Sequence, residues 1–132
     1  MTDCPKNRCL RVLHIEDDPL IAEIVQIKML RLPVPCEVTR AETKEAFEAA
    51  FEQGAFDLVI SDSQVPDLDT YSALARVREK YPGVPFIFLS ANRRPNAKED
   101  ALKRGATDYV NKGNLVELIP AIQRACPQAA SS

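Results

Sequence analysis

The chain has 132 residues, 45% hydrophobic and 27% charged, with a formal net charge of −2. This length suits one domain with a real core, and the charge gives no bulk electrostatic reason to bind nucleic acid or an anionic membrane. No apolar run approaches the ~20 residues of a bilayer span. The amino terminus, MTDCPKNRC, lacks the apolar core of a signal peptide, so the cytoplasm is the default location.

Residues 1–9 read as a polar tail. Leu10 to Ile15 is a predicted strand that runs into Glu16, Asp17 and Asp18. Pro19 suits a first helical position with Asp18 as N-cap, and the helix extends from about Leu20 to Leu30, ended by Pro33 and Pro35. Cys36 to Thr39 is a short second strand. Glu42 to Gln53 places Ala46, Phe47, Ala50 and Phe51 on one helical stripe, closed by Gly54.

Phe56 to Ser61 is the third strand. Its Leu58, Val59 and Ile60 form an apolar run suited to burial on both faces of a parallel sheet, and the run stops on Asp62. A helix over about Thr70 to Lys80 carries Tyr71, Leu74, Val77 and Tyr81 inward. Val84 to Leu89 is a fourth strand ending on Ser90, followed by a helix near Asn96 to Arg104 that Gly105 closes. Thr107 to Asn111 is a fifth strand ending on Lys112. The last helix opens on Asn114 and Glu117, a capping-box variant, and buries Leu115, Leu118, Ile119 and Ile122. Pro120 inside it predicts a kink, and residues 126–132 read as a frayed tail.

Five strands alternating with five helices predict an α/β fold, a parallel sheet with helices on both faces. No repeat and no linker to a second domain is visible. Cys4, Cys9, Cys36 and Cys126 have neither the density of a disulfide scaffold nor a paired CxxC spacing. They read as thiols, two of them in the tail, in preference to a metal pair at Cys4 and Cys9. His14, the single histidine, reads as a packed core residue.

The carboxyl ends of strands in an open α/β sheet are where ligands bind. Those ends carry Glu16 and Asp17, Asp62, Ser90 and Lys112, which become one site on one rim. Three crowded carboxylates need a cation, and an oxygen-only donor set favours a hard ion such as Mg²⁺. A lysine and a hydroxyl beside them suit a phosphoryl group arriving on Asp62 as nucleophile, giving an acyl phosphate. Alone, each residue has a plainer meaning: Asp62 a turn residue, Glu16 to Asp18 helix-capping acids, Lys112 a solvated lysine. Their conjunction at successive strand ends carries the argument.

The segments VLHIEDDP, FDLVISDSQVPDLD, PFIFLSAN and GATDYVNK, in this order and spacing, resemble the response-regulator receiver domain (CheY-like) of two-component signalling, over about Leu10 to Ala125. The resemblance implies a doubly wound, flavodoxin-like (βα)5 fold with strand order 2-1-3-4-5, occupying 10–125 between tails 1–9 and 126–132. It implies that Asp62 takes phosphate from a phosphohistidine on a sensor histidine kinase or a histidine phosphotransfer protein. Mg²⁺ (or Mn²⁺) would be bound by Asp17 and Asp62 directly, by Glu16 through water and by the Gln64 backbone carbonyl. Lys112 would pair with the phosphoryl oxygens. Ser90 and Tyr109 stand at the switch positions that bias the surface of the fourth helix, fifth strand and fifth helix.

Two positions depart from the family pattern. Thr70 stands where glycine is usual. Gly113 stands where proline is usual after a cis bond, and a cis bond before glycine would cost roughly 2.5–4 kcal/mol, so a trans peptide and a changed path into the last helix are expected. Gln64 and Asn92 flank the site at positions that influence phosphate lifetime in the family.

The resemblance implies a signalling phosphoacceptor that catalyses only its own phosphorylation and dephosphorylation. It would be a single-domain regulator or a receiver from a hybrid kinase or other multidomain regulator, without nucleic-acid or membrane binding. The alternative is a receiver-like protein-binding module that takes no phosphate. A haloacid-dehalogenase-type phosphatase would want an acid where Gln64 stands.

Overall fold

The computed structural model describes residues 9–54, 56–91 and 94–129. Strands Leu58–Asp62 (β3) and Phe86–Ser90 (β4) are buried at every position, as interior strands of a parallel sheet are. Leu10–Ile15 (β1) and Cys36–Ala41 (β2) lie to one side and Asp108–Asn111 (β5) to the other. All pairings are parallel and the order is β2-β1-β3-β4-β5. The predicted α/β class and strand order are the observed ones.

Five helices cover the sheet: Pro19–Met29 (α1), Lys44–Gln53 (α2), Thr70–Lys80 (α3), Ala97–Lys103 (α4) and Leu118–Ala125 (α5). Side chains alternate across a strand, and the alternation divides the interior in two. Leu10, Val12, Leu58, Ile60, Ile87 and Leu89 pack against α1 and α5 through Val25, Met29, Leu118 and Ile122. On the other face Leu13, Ile15, Val59, Phe86 and Phe88 meet α2, α3 and α4 through Phe47, Phe51, Leu74, Val77 and Ala101.

Side-chain caps set the helix starts. Asp18 Oδ1 accepts the Leu20 N–H at 2.9 Å, with Pro19 in the first helical position. Asp69 Oδ1 accepts from Tyr71 and Ser72 at the start of α3. The second helix begins at Lys44, two residues later than predicted, because extended Thr43 is the cap and accepts the Ala46 N–H, while Glu42 pairs with Arg40 outside the helix. Gly54 closes it at φ 66°, where a Cβ would meet the Tyr81 Oη at 2.5 Å. That hydroxyl donates to the Phe51 carbonyl.

Other predicted boundaries are corrected. β2 runs on to Ala41 because β1 pairs with it along its whole length. β3 begins at Leu58 and includes Asp62. The Asn114–Glu117 capping box does not form: 3₁₀ turns occupy Lys112–Glu117, Asn114 leaves helical geometry, and Asn111 accepts the Gly113 N–H instead. The α-helix starts at Leu118, so Pro120 sits in its first turn, where a missing N–H breaks no intrahelical bond and no kink is required. The Lys112–Gly113 peptide is trans.

Residues 126–129 are not frayed. Cys126 and Ala129 are buried in the α1–α5 core, and Pro127–Ala129 forms a 3₁₀ turn. Cys9 is buried as well, so it does not belong to a loose tail; Cys4 and the rest of residues 1–8 lie outside the described residues. His14 is fully buried, as predicted.

Arg78 on α3 ties down the edge that carries β5. Its Nε donates to the Gly105 carbonyl at 2.7 Å, one terminal nitrogen to the Val84 carbonyl and the other to Thr107 Oγ1 at 3.1 Å. Thr107 Oγ1 in turn accepts the Phe86 N–H. Arg78→Met keeps the stem but removes every donor, leaving two carbonyls without their charged partner. It should lower the urea-unfolding free energy by about 2–4 kcal/mol, whereas Arg78→Lys, with one donor group in place of the fork, should recover only part.

Candidate functional site

Three strand ends deliver the charged groups. Glu16 follows β1 and is fully buried, exposed Asp17 comes next, and Asp62 ends β3 at 7% exposure. Lys112 follows β5 and reaches back over the sheet: its Nζ lies 2.9 Å from Asp62 Oδ2 and 3.3 Å from Glu16 Oε1. The remaining Asp62 oxygen, Oδ1, accepts the Gln64 N–H at 3.1 Å, and Glu16 Oε2 accepts the Asp18 N–H at 3.2 Å. One carboxylate oxygen from each of Glu16, Asp17 and Asp62 lies within 4.8 Å of the others.

The electrostatics show more negative charge than one lysine neutralises. Burial, then the Asp62 carboxylate, pushes Glu16 up to about 7 against the opposing pull of Lys112. Burial acts to lower the Lys112 ammonium, but the Asp62 and Glu16 carboxylates overcome it and hold it above the usual lysine value. His14 lies beneath, its Nε2 3.9 Å from Glu16 Oε1. Burial, with the Arg40 and Lys112 cations, takes it down to about 4, so it is neutral in the folded protein. Glu16 Oε1 is buried and, beyond its ion pair with Lys112, has no hydrogen-bond partner among the described residues. A buried carboxylate oxygen in that position, among oxygen donors only, fits a hard divalent cation.

Asp62, Ser63, Gln64, Ala91, Arg94 and Lys112 line an open cleft of about 640 Å³ above the cluster. Ser90, fully buried at the end of β4, lies 2.6 Å from Ser63, Oγ to Oγ. Tyr109 stands apart as a half-buried β5 aromatic whose ring centroid is 6.4 Å from that of Phe88. The site residues read from the sequence therefore divide. Glu16, Asp17, Asp62 and Lys112 meet directly, Gln64 joins them through its backbone, Ser90 sits beside them with Ser63, and Tyr109 is one layer away. Asn92 lies outside the described residues.

Sequence reading missed three neighbours. Ser63 touches Ser90, Thr70 Oγ1 donates to the Ser63 carbonyl at 2.9 Å, and Arg40 Nε donates to the Glu16 carbonyl at 3.0 Å. In the sequence Thr70 stands out only as a departure from the family's glycine, and Ser63 is only the residue one step past the Asp62–Leu89 pair; their contacts are not written in the pattern.

The two buried groups give opposite pH dependence. His14 is depressed in the fold, so its contribution to stability is present above about pH 6.5 and lost as pH falls toward 4. Glu16 is raised, so its contribution is full below about pH 4.5 and lost as pH rises through 7. In the wild type the two slopes offset each other. Relative to wild type, Glu16→Gln should lose stability on going from pH 6.5 to 4.5, and His14→Leu should gain it, read from urea unfolding at both values. Parallel slopes in all three proteins would contradict this assignment.

The family model for the response regulator receiver domain matches residues 12–123. The chain is similar to the sensor protein GacS of Pseudomonas syringae pv. syringae, 32% identical over 111 residues that cover 80% of this chain and 12% of that protein. Among solved structures it is similar to the Francisella response regulator 1452 receiver domain, with a TM-score of 0.76 at 27% identity, covering 88% of this chain and 95% of that one. It is also similar to the Thermotoga maritima response regulator TrrA in complex with Mg²⁺-BeF, with a TM-score of 0.74 at 26% identity, covering 88% and 98% of the two chains. The chain spans less than half the length of the curated relatives compared. Among the described residues no helix is long and apolar enough to cross a membrane. With fold, acidic rim and family match in agreement, this chain belongs to the response regulator receiver domain family of two-component signalling.

Proposed function

We propose that Asp62 is the phosphoacceptor, taking a phosphoryl group from a phosphohistidine of a sensor histidine kinase or a histidine phosphotransfer protein. One observation carries the reading: the Asp62 carboxylate opens onto a cleft while Lys112 holds it at 2.9 Å and Glu16 and Asp17 stand within 4.8 Å. An Asp62 oxygen attacks phosphorus, the phosphorus–nitrogen bond breaks, and its electron pair returns to the departing imidazole. Lys112 offsets the charge on the phosphoryl oxygens as the acyl phosphate forms. Attack of water on phosphorus later releases inorganic phosphate and restores the carboxylate. The domain catalyses these two steps on itself and turns over no outside substrate.

The donor set suits Mg²⁺ or Mn²⁺, held by Asp17 and Asp62 directly, by Glu16 through water and by the Gln64 backbone carbonyl. Bound there, the ion supplies positive charge against the phosphoryl oxygens. The Thermotoga relative in complex with Mg²⁺-BeF supports this choice. Ser90 is the switch hydroxyl and Tyr109 the switch aromatic, and together they bias the surface of α4, β5 and α5 toward a protein partner. The domain extends past the expected 10–125 to include buried Cys9 and residues 126–129, works in the cytoplasm, and binds neither nucleic acid nor membrane. It acts as a single-domain regulator or as the receiver of a hybrid kinase or other multidomain regulator.

Incubation with Mg²⁺ and acetyl phosphate should add one phosphoryl group by intact mass, lost in Asp62→Asn and abolished by EDTA. Uptake that persists in Asp62→Asn would sink the acceptor assignment. No uptake from any donor would leave a receiver-like module that binds its partner unphosphorylated. Lys112→Ala should retain the fold and slow uptake by about 100-fold or more, the scale of losing one preorganised cation at the transition state.

A further inference from the structure

Ser63 is the first residue beyond β3, one step past the last recorded pair, Asp62 opposite Leu89, and Ser90 is one step past Leu89 on β4. The contact between their side chains brings the two serines together at the rim. Ser90 follows Phe86 and Phe88 toward the α2–α3–α4 core, whereas Asp62 follows Leu58 and Ile60 toward the α1–α5 core. The serine hydroxyls are 2.6 Å apart, at the short end of the range for a hydroxyl pair, and each is able to donate to the other. Ser63 is also pinned from behind. Thr70, 2% exposed at the start of α3, donates its hydroxyl to the Ser63 carbonyl at 2.9 Å.

We propose that Ser63 is a positioning residue whose hydroxyl competes with the phosphoryl group on Asp62 for the hydroxyl of Ser90, and so sets how readily the domain switches. The inference rests on the reading of Asp62 as acceptor and Ser90 as switch hydroxyl. A serine hydroxyl has one proton to give. While Ser90 donates to Ser63 it has none for a phosphoryl oxygen, and while it accepts from Ser63 it is held on the face away from the Asp62 parity. In either direction the bond must break as Ser90 crosses toward Asp62. Thr70 strengthens the hold by fixing the backbone that carries the Ser63 hydroxyl. Without Ser63 the released conformer is more populated before any phosphate arrives, and a donor that reacts with that conformer reacts faster.

The test compares Ser63→Ala, Ser63→Thr and Thr70→Val with wild type in two measurements. The first is the Ser90 χ1 distribution in the unphosphorylated protein, from three-bond NMR couplings. The second is the rate of phosphoryl uptake from acetyl phosphate with Mg²⁺, by intact mass. Ser63→Ala should redistribute χ1 and speed uptake by about 2- to 10-fold, the worth of one net neutral hydrogen bond. Thr70→Val should act in the same direction more weakly, and Ser63→Thr, which keeps the hydroxyl, should restore both values. Normal wild-type uptake with unchanged χ1 and rate in Ser63→Ala, or slower uptake in that variant, overturns the competition alone. Wild-type protein that takes up no phosphoryl group overturns the acceptor reading and, with the competitor gone, the competition as well. If Ser63→Ala does not fold, Thr70→Val decides by the same two measurements.

Discussion

The ion pair between Lys112 and Asp62, with Glu16 alongside, is the constraint on which the rest of the arrangement depends. Lys112 must cross from the end of β5 to the ends of β3 and β1, so every intervening strand has to stop at the same rim. The pair is an unpromising source of stability. Removing charges from water costs several kcal/mol per ion, and a well-packed apolar substitute is often as stable or more so. The upward displacement of Glu16 to about 7 shows the strain: burial and Asp62 outweigh the lysine. For a cluster held together at such cost, a divalent cation matches both the sign and the donor chemistry, as the proposed function requires.

The apolar layers protect this geometry. β3 and β4 have no exposed residue, so neither can slide in register without turning Asp62 or Ser90 to the opposite core. Arg78 and Thr107 perform the equivalent service at the β4–β5 side, where the strand is short and only Val110 is fully buried. Here polar contacts replace the burial that a four-residue edge strand cannot supply.

Much of this was legible before any coordinates. The run Leu58 to Ile60 ending on Asp62, and the Asp18–Pro19 pair, each carry a local physical signal strong enough to survive in the fold. The carboxylates and Lys112 were legible as a set because parallel topology converts scattered strand ends into neighbours. The misreadings share a different cause. Thr43 caps the second helix and leaves Glu42 outside it, Asn111 replaces Asn114, and Ala129 finds a place under α5 only because tertiary neighbours are already there. Thr70 was visible as a departure from the family's glycine, but its bond to the Ser63 carbonyl depends on how the β3–α3 loop folds back, which no periodicity records.

The alternation of side chains places the carboxylates and the hydroxyls on opposite faces of adjacent strands. By strand alternation, Asp62 and Ser90 fall on opposite faces of the sheet. Only past the last paired residues, where Asp62 meets Leu89 and the next pair would be Ser63 and Ser90, does the backbone cease to divide them. On the proposed reading, a group added to Asp62 arrives at this rim, next to Ser63 and its bond to Ser90. On that reading, too, a phosphoryl transfer at Asp62 reaches the α4 side of the molecule through this rim. The hydroxyl pair at 2.6 Å lies at that rim. A switch located elsewhere on these strands would have to pass its signal through a close-packed sheet, whereas the one proposed at this rim needs the shift of a single hydrogen bond.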